Sequence, residues 1–152
     1  MNTEHDFHVE AWWVAGKAGL TRSKSSRTAI HFSAPIEFGG MTGRWTPEEL
    51  FLSAIASCFT TTFQSLAEYL KFEYCDLEVT ADGIIYKDKP GYRFKQISIH
   101  PKLTIPREED RERGLTLLQK SKELCLISRA VAVPLDFTPS LVVTESRVAV
   151  VS

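Results

Sequence analysis

Three cysteines, Cys58, Cys75 and Cys125, are the residues best able to do chemistry in this chain. Three is an odd number, the spacings are long, and there is no CxxC pair. A secreted disulfide scaffold and a structural zinc site are therefore not expected. Each cysteine has a bland reading as a small apolar core residue, because free cysteine is among the most buried residue types. To react, a cysteine must be a thiolate. The periodicity places Cys58 in the middle of a long helix, where that helix's own N-terminus gives no help, so a cation from elsewhere is expected. The upstream candidates are Lys17, Arg22, Arg27 and Arg44. Cys125 lies near the end of a second helix, and Cys75, just ahead of a strand, reads as structural. The histidines His5, His8, His31 and His100 are scattered without ligand spacing, so no metal and no cofactor is expected.

Composition narrows the class. At 152 residues the chain suits a single domain spanning 1–152 with one core, and is too short to add a separate cofactor domain. The 18 basic and 19 acidic side chains give a formal net charge of -1, which argues against a nucleic-acid partner. With 43% hydrophobic and 24% charged residues the composition is globular. The first residues show no basic start followed by an apolar run, so no secretory signal is expected. The stretch from Leu50 to Ala67 has no formal charge, but Thr60, Thr61, Thr62, Gln64 and Ser65 disfavour a membrane span. A cytoplasmic setting, with reduced thiols, follows as the expectation.

The elements that must position the cysteines are legible in outline. Phe7 to Ala15 reads as a strand, Gly16 to Gly19 as a turn, Thr21 to Ala34 as extended chain, and the glycine-rich Pro35 to Arg44 as a loop. Thr46, Pro47 and Glu49 make a capping box with proline at the first helical position, which starts a helix running to about Leu70. Its apolar residues cover most of its circumference, so it is expected to be buried. Alternation at Leu77, Val79 and Ala81 marks a strand, DKPG at 88–91 a turn, and Phe94 to Ile105 a longer strand. A second helix starts after Pro106 with Leu115, Leu118 and Leu124 inward. It reaches about Cys125, with continuation to Val131 as an alternative. Pro134 to Val143 is a last strand. Trp12, Trp13, Phe51, Phe59 and Phe63 are expected in the core, with a few available to line an apolar pocket. The fold class is α+β with a mostly antiparallel sheet and a long buried central helix.

The segment TPEELFLSAIASCF (Thr46–Phe59) resembles the signature of the OsmC/Ohr superfamily, the osmotically inducible and organic hydroperoxide resistance proteins. FSAPIEFGG (32–40) upstream and KSKELCLIS (120–128) downstream resemble the flanking segments, the latter carrying that family's second cysteine. The resemblance covers nearly the whole chain. It implies an OsmC-like intertwined homodimer with active sites at the interface, so that each site draws on both chains. It also implies thiol-dependent peroxidase chemistry, with Cys58 matching the peroxidatic cysteine, Cys125 the resolving cysteine and Glu48 the acidic active-site residue. The substrate implied is an organic hydroperoxide, and the reductant an external dithiol or a lipoylated protein. Ten residues at about 1.5 Å each put Glu48 roughly 15 Å from Cys58 along a straight helix, so a long cation or a second subunit must join them.

Two positions depart from the family pattern. The best ungapped match to its active-site arginine is Lys17, with Arg22 as the alternative cation if the alignment shifts. Lysine supplies a point charge but lacks the planar fork that holds a thiolate and a carboxylate together. Leu126 stands where many relatives carry proline after the second cysteine. Two other classes compete with the peroxidase: a non-enzymatic module of the same fold binding a small apolar or acyl ligand, and a redox sensor. Peroxide-dependent turnover separates them.

Overall fold

The computed structural model describes residues 3–144 of the chain and divides into two compact units, one ending at Phe51 and one starting at Leu52. The first unit is a three-stranded antiparallel sheet of β1 (Val9–Ala15), β2 (Ala18–Ser23) and β3 (Ile30–Ser33), in that order. The expected extended run from Thr21 to Ala34 is thus two strands, because the polar stretch 24–29 offers no apolar alternation and turns the chain. Gly16, with φ +54°, makes the β1–β2 turn. Gly19 lies so close to the Trp12 carbonyl that a Cβ there would come within 2.1 Å of it. After β3 the chain passes one 3₁₀ turn, Ile36–Phe38, and comes back to pair Phe32 with Trp45. The buried Ser33 accepts the Met41 N–H on its hydroxyl at 2.8 Å, which ties down the loop leading into the long helix.

That helix, α1 (Pro47–Tyr69), starts as its capping box predicts: the Glu49 N–H donates to Thr46 Oγ1 at 3.1 Å, and the Thr46 N–H donates to Glu49 Oε2 at 3.3 Å. It is not buried all round. Ile55, Phe59, Phe63 and Ala67, spaced by four, form one fully buried face, while Phe51, Tyr69 and Leu70 are exposed. By length and composition α1 meets the requirement for crossing a membrane, so its five polar residues do not exclude that on their own. Its buried face packs on protein.

In the second unit β4 (Asp76–Lys87) and β5 (Tyr92–Ile105) form a long antiparallel hairpin. Along β5, Ile97, Ile99, Pro101, Leu103 and Ile105 are all buried, a clean period of two that puts one strand face in the core. The expected last strand is two strands, β6 (Leu135–Phe137) and β7 (Ser140–Val143), and both pair with β5 in parallel. The break between them falls opposite His100 and Pro101, where proline has no N–H for a ladder. The sheet is therefore mixed, with β5 between β4 on one side and the two short parallel strands on the other.

After a 3₁₀ turn at Glu108–Asp110 come α2 (Arg111–Leu124) and the short α3 (Leu126–Ala130). The inward stripe of α2 is Gly114, Leu117, Leu118 and Ser121. Leu115 and Leu124, expected inward, are 39% and 54% exposed. Continued by four residues, the stripe arrives at Cys125, which is fully buried with Phe59, Phe63, Leu103 and Leu118 in one cluster. Phe59 and Phe63 are core as expected, but Trp12 and Trp13 are not: they are 41% and 77% exposed on β1, all of whose residues are exposed.

Asp110, at the entry to α2, is a buried carboxylate with good partners. It accepts from Arg107 Nε and Nη2 at 3.0 and 2.9 Å and from Arg113 Nη1 at 3.0 Å. Arg107 also reaches Glu73 at 2.8 Å, and Arg113 lies 5.4 Å over the Phe72 ring. Replacing Asp110 by Ala leaves both guanidinium groups without their shared acceptor. A loss of about 1–3 kcal/mol is expected in urea unfolding. A midpoint equal to wild type would show that the cluster adds nothing to stability.

Candidate active site

The α1 face that buries Ile55, Phe59 and Phe63 carries Cys58 at its edge. Cys58 is half-buried and packs against the main core cluster. Cys125, at the end of α2, belongs to that same cluster, and the two thiols bear on each other's ionisation. At Cys125 the backbone leaves the helix, with φ -62° and ψ 115°, and restarts as α3. The Cys125 N–H still closes α2 on the Ser121 carbonyl at 3.0 Å, and its own carbonyl accepts the Arg129 N–H at 3.1 Å. The first N–H groups of α3 have no carbonyl of their own helix to meet. The backbone of Ile127 and Leu126 bears on the Cys58 thiol and favours its ionised form.

The two thiols are unlike. Burial pushes the Cys58 thiol up, but the Ile127 N–H, the Cys125 thiol, the Thr62 hydroxyl and the Leu126 N–H together hold it below the ordinary thiol range. Burial also pushes Cys125 up. The N–H of Ser128 opposes this, Cys58 adds to it, and the direction is upward. Cys58 is thus the member of the pair that ionises first, and Cys125 the one that keeps its proton and donates it. The groups that stabilise the thiolate are neutral donors. The expected cation is not among them, and the helix N-terminus that α1 cannot give to Cys58 comes from α3.

The other candidate residues belong to the first unit. Lys17, in the β1–β2 turn, is exposed and donates to the Phe38 carbonyl. Arg22 is exposed and stacks over the Trp12 ring, 5.0 Å from its centroid. Glu48 sits in the first turn of α1, and its Oε2 is buried with no hydrogen-bond partner among the described residues. Cys75 is half-buried ahead of β4, its N–H donating to the Thr104 carbonyl at 2.7 Å. Among the described residues no group of three or more His, Cys, Asp or Glu is placed to hold a metal ion. Sequence reasoning missed Thr62 and the N–H groups of Leu126 and Ile127. The departure from proline at 126 was the one available signal, since it restores an N–H.

The α+β layout with Cys58 and Cys125 at one core cluster can be set beside known proteins. The sequence model of the family described as OsmC-like protein matches residues 39–140, and the chain belongs to that family. It is 26% identical over 131 residues to the uncharacterized protein YmaD of Bacillus subtilis, covering 84% of this chain and 87% of that one. It is 27% identical over 124 residues to an organic hydroperoxide resistance protein-like protein of Staphylococcus aureus, covering 82% and 86%. Among solved structures, an organic hydroperoxide resistance protein OsmC of Legionella pneumophila superposes with a TM-score of 0.73 at 23% identity, covering 93% of this chain and 100% of that one. The last comparison carries the fold: mixed α+β with antiparallel-rich sheets.

Leu126 gives a direct test of the donor arrangement. Proline suits the first position of a helix, and the extended backbone at Cys125 tolerates a following proline. Leu126→Pro should therefore keep the fold while removing one N–H from Cys58. The pH midpoint of Cys58 alkylation should move upward, since the lost bond favours the thiolate. An unchanged midpoint would mean that this N–H does not act on the sulfur.

Proposed function

We propose that this chain is a thiol-dependent peroxidase that reduces organic hydroperoxides. The carrying observation is the unequal sulfur pair: Cys58 is held toward the thiolate by four donors while the buried Cys125 stays protonated beside it. The Cys58 thiolate attacks the terminal peroxide oxygen, and the O–O bond breaks. The alkoxide leaves and takes a proton to become the alcohol, and Cys58 becomes a sulfenic acid. Cys125 condenses with it, releasing water and forming the Cys58–Cys125 disulfide. A dithiol, either free or on a lipoylated protein, returns two electrons and two protons by thiol–disulfide exchange. The apolar surroundings of the pair, with Phe59, Leu66 and Phe137 in the same clusters, favour an alkyl hydroperoxide over hydrogen peroxide. The name of the Staphylococcus aureus relative supports the same substrate class.

Glu48, with Lys17 or Arg22 as its cation, completes the site in this reading. The buried Glu48 oxygen without a donor supports a missing positive partner, because an unpaired buried carboxylate oxygen is costly. A homodimer, each copy completing the other's site, is the assembly proposed. It is supported by the exposed Val9, Trp12, Trp13 and Val14 of β1, which are too apolar to be left wet. No nucleic acid or membrane partner is involved. The engagement of Lys17 with the Phe38 carbonyl favours the rival reading, a non-enzymatic binding module.

Cys58→Ser should abolish consumption of cumene hydroperoxide with dithiothreitol present. Cys125→Ser should allow one oxidation and then accumulate Cys58 sulfinic acid by mass spectrometry. Full turnover in Cys58→Ser would end the peroxidase reading. Light scattering after size-exclusion should report twice the chain mass at micromolar concentration, and a fully active monomer would end the shared-site reading.

A further inference from the structure

The open end of the β1–β2 hairpin carries a charged cleft that the thiol chemistry does not use. The stretch from Arg22 to Arg27, RSKSSR, puts three cations and no carboxylate into six residues of a chain whose net charge is -1. His8, Glu10 and Trp12 alternate along β1 and its lead-in, so they share one face. Arg22 stands opposite Glu10 in the ladder, and the Lys24 N–H extends the ladder by donating to the His8 carbonyl at 3.2 Å. The chain then folds on its own hydroxyls: the Ser26 N–H donates to Ser23 Oγ at 2.9 Å and the Thr28 N–H to Ser26 Oγ at 3.3 Å. That fold brings Arg27 to the same cleft, whose volume of about 680 Å³ suits a small molecule.

The charges of the cleft are one-sided. Glu10 is the single carboxylate that lines it among the described residues, and His8 Nε2 stands 3.2 Å from that carboxylate. Arg22 turns from its cross-strand neighbour and lies over the Trp12 ring, 5.0 Å from its centroid, which holds the guanidinium in place. Among the described residues Arg22, Lys24 and Arg27 have no carboxylate partner. Cations grouped around one concavity add their fields there and draw an anion to it. We propose that this cleft binds a small phosphorylated molecule with two linked phosphates, held by Arg22, Lys24 and Arg27. Three cations exceed what one phosphate needs, and the planar fork of arginine matches phosphate oxygens. None of the lining residues belongs to the apolar set of β1 that a second copy is proposed to cover. Arg22 cannot serve two places at once: it belongs to the cleft, and Lys17 is the cation left for Glu48.

Calorimetric titration of the full-length chain with sodium pyrophosphate, at an ionic strength held constant with chloride, tests the site. One saturable site with a Kd below about 1 mM is expected. Lys24→Gln and Arg27→Gln should each weaken binding about fivefold, because each removes one charged donor at an exposed position. Tryptophan fluorescence should change along the same isotherm, since Arg22 lies on Trp12. No saturation, or an affinity unchanged in both variants, would overturn the proposal. Tighter binding of short single-stranded DNA or of phosphatidylglycerol vesicles than of pyrophosphate would also overturn it, by assigning the cleft to a polymer or a membrane surface. Circular dichroism checks folding, and alanine replaces glutamine in a variant that does not fold. Hydroperoxide turnover is scored apart, so that its absence rejects the peroxidase reading and leaves the cleft standing.

Discussion

The break in the helix at Cys125 is the feature on which the site depends. Had α2 run on without it, the N–H groups of Leu126 and Ile127 would have closed on carbonyls one turn back in their own helix. The extended torsions of Cys125 release both of them. Both favour the thiolate form of Cys58, which lies midway along its own helix. The same residue thus supplies the break, the second sulfur and a donated proton. Its complete burial keeps it the weaker acid of the two.

The rest of the second unit holds these few groups in register. Ile55, Phe59, Phe63 and Ala67 fix the rotation of α1 about its axis. Cys58 precedes Phe59 by one residue, about 100° around the helix, so it sits at the margin of the buried face. That margin lets the sulfur touch the core and stay partly exposed. On the other side, Gly114 lets α2 approach closely: a Cβ there would come within 2.8 Å of Leu141 and 3.2 Å of Leu103. Leu117, Leu118 and Ser121 then carry the inward stripe to Cys125.

Much of this was legible in the residues. The Thr46–Glu49 capping box and the alternation along β5 both correspond to features of the structure. Each is local. What escaped depends on contacts between distant segments. The phase of α2 was misread because Leu115, Leu118 and Leu124 compete with a stripe anchored by Gly114 and Ser121, residues that apolar counting ignores. The exposed Trp12 and Trp13 were misread because apolar character specifies burial without saying which surface provides it. The activation of Cys58 was sought in a cation because only charges are visible in sequence. Backbone N–H groups are carried by every residue but proline, so the signal was the absence of a proline at 126.

That last point changes the weight of the lysine at position 17. If a cation were the sole source of thiolate stabilisation, replacing the arginine fork by a single ammonium would be a serious loss. Here two amides, a hydroxyl and a thiol already oppose the desolvation of Cys58 and outweigh it. Hydrogen bonds to a charged acceptor are the strong ones, and donors fixed by a helix start and by the same helix face need little reorganisation. What a charge could add to the Cys58 thiolate beyond these neutral groups is correspondingly smaller, and the leucine at 126, which keeps its N–H where a proline would lose it, bears on the sulfur more directly than any residue outside the second unit.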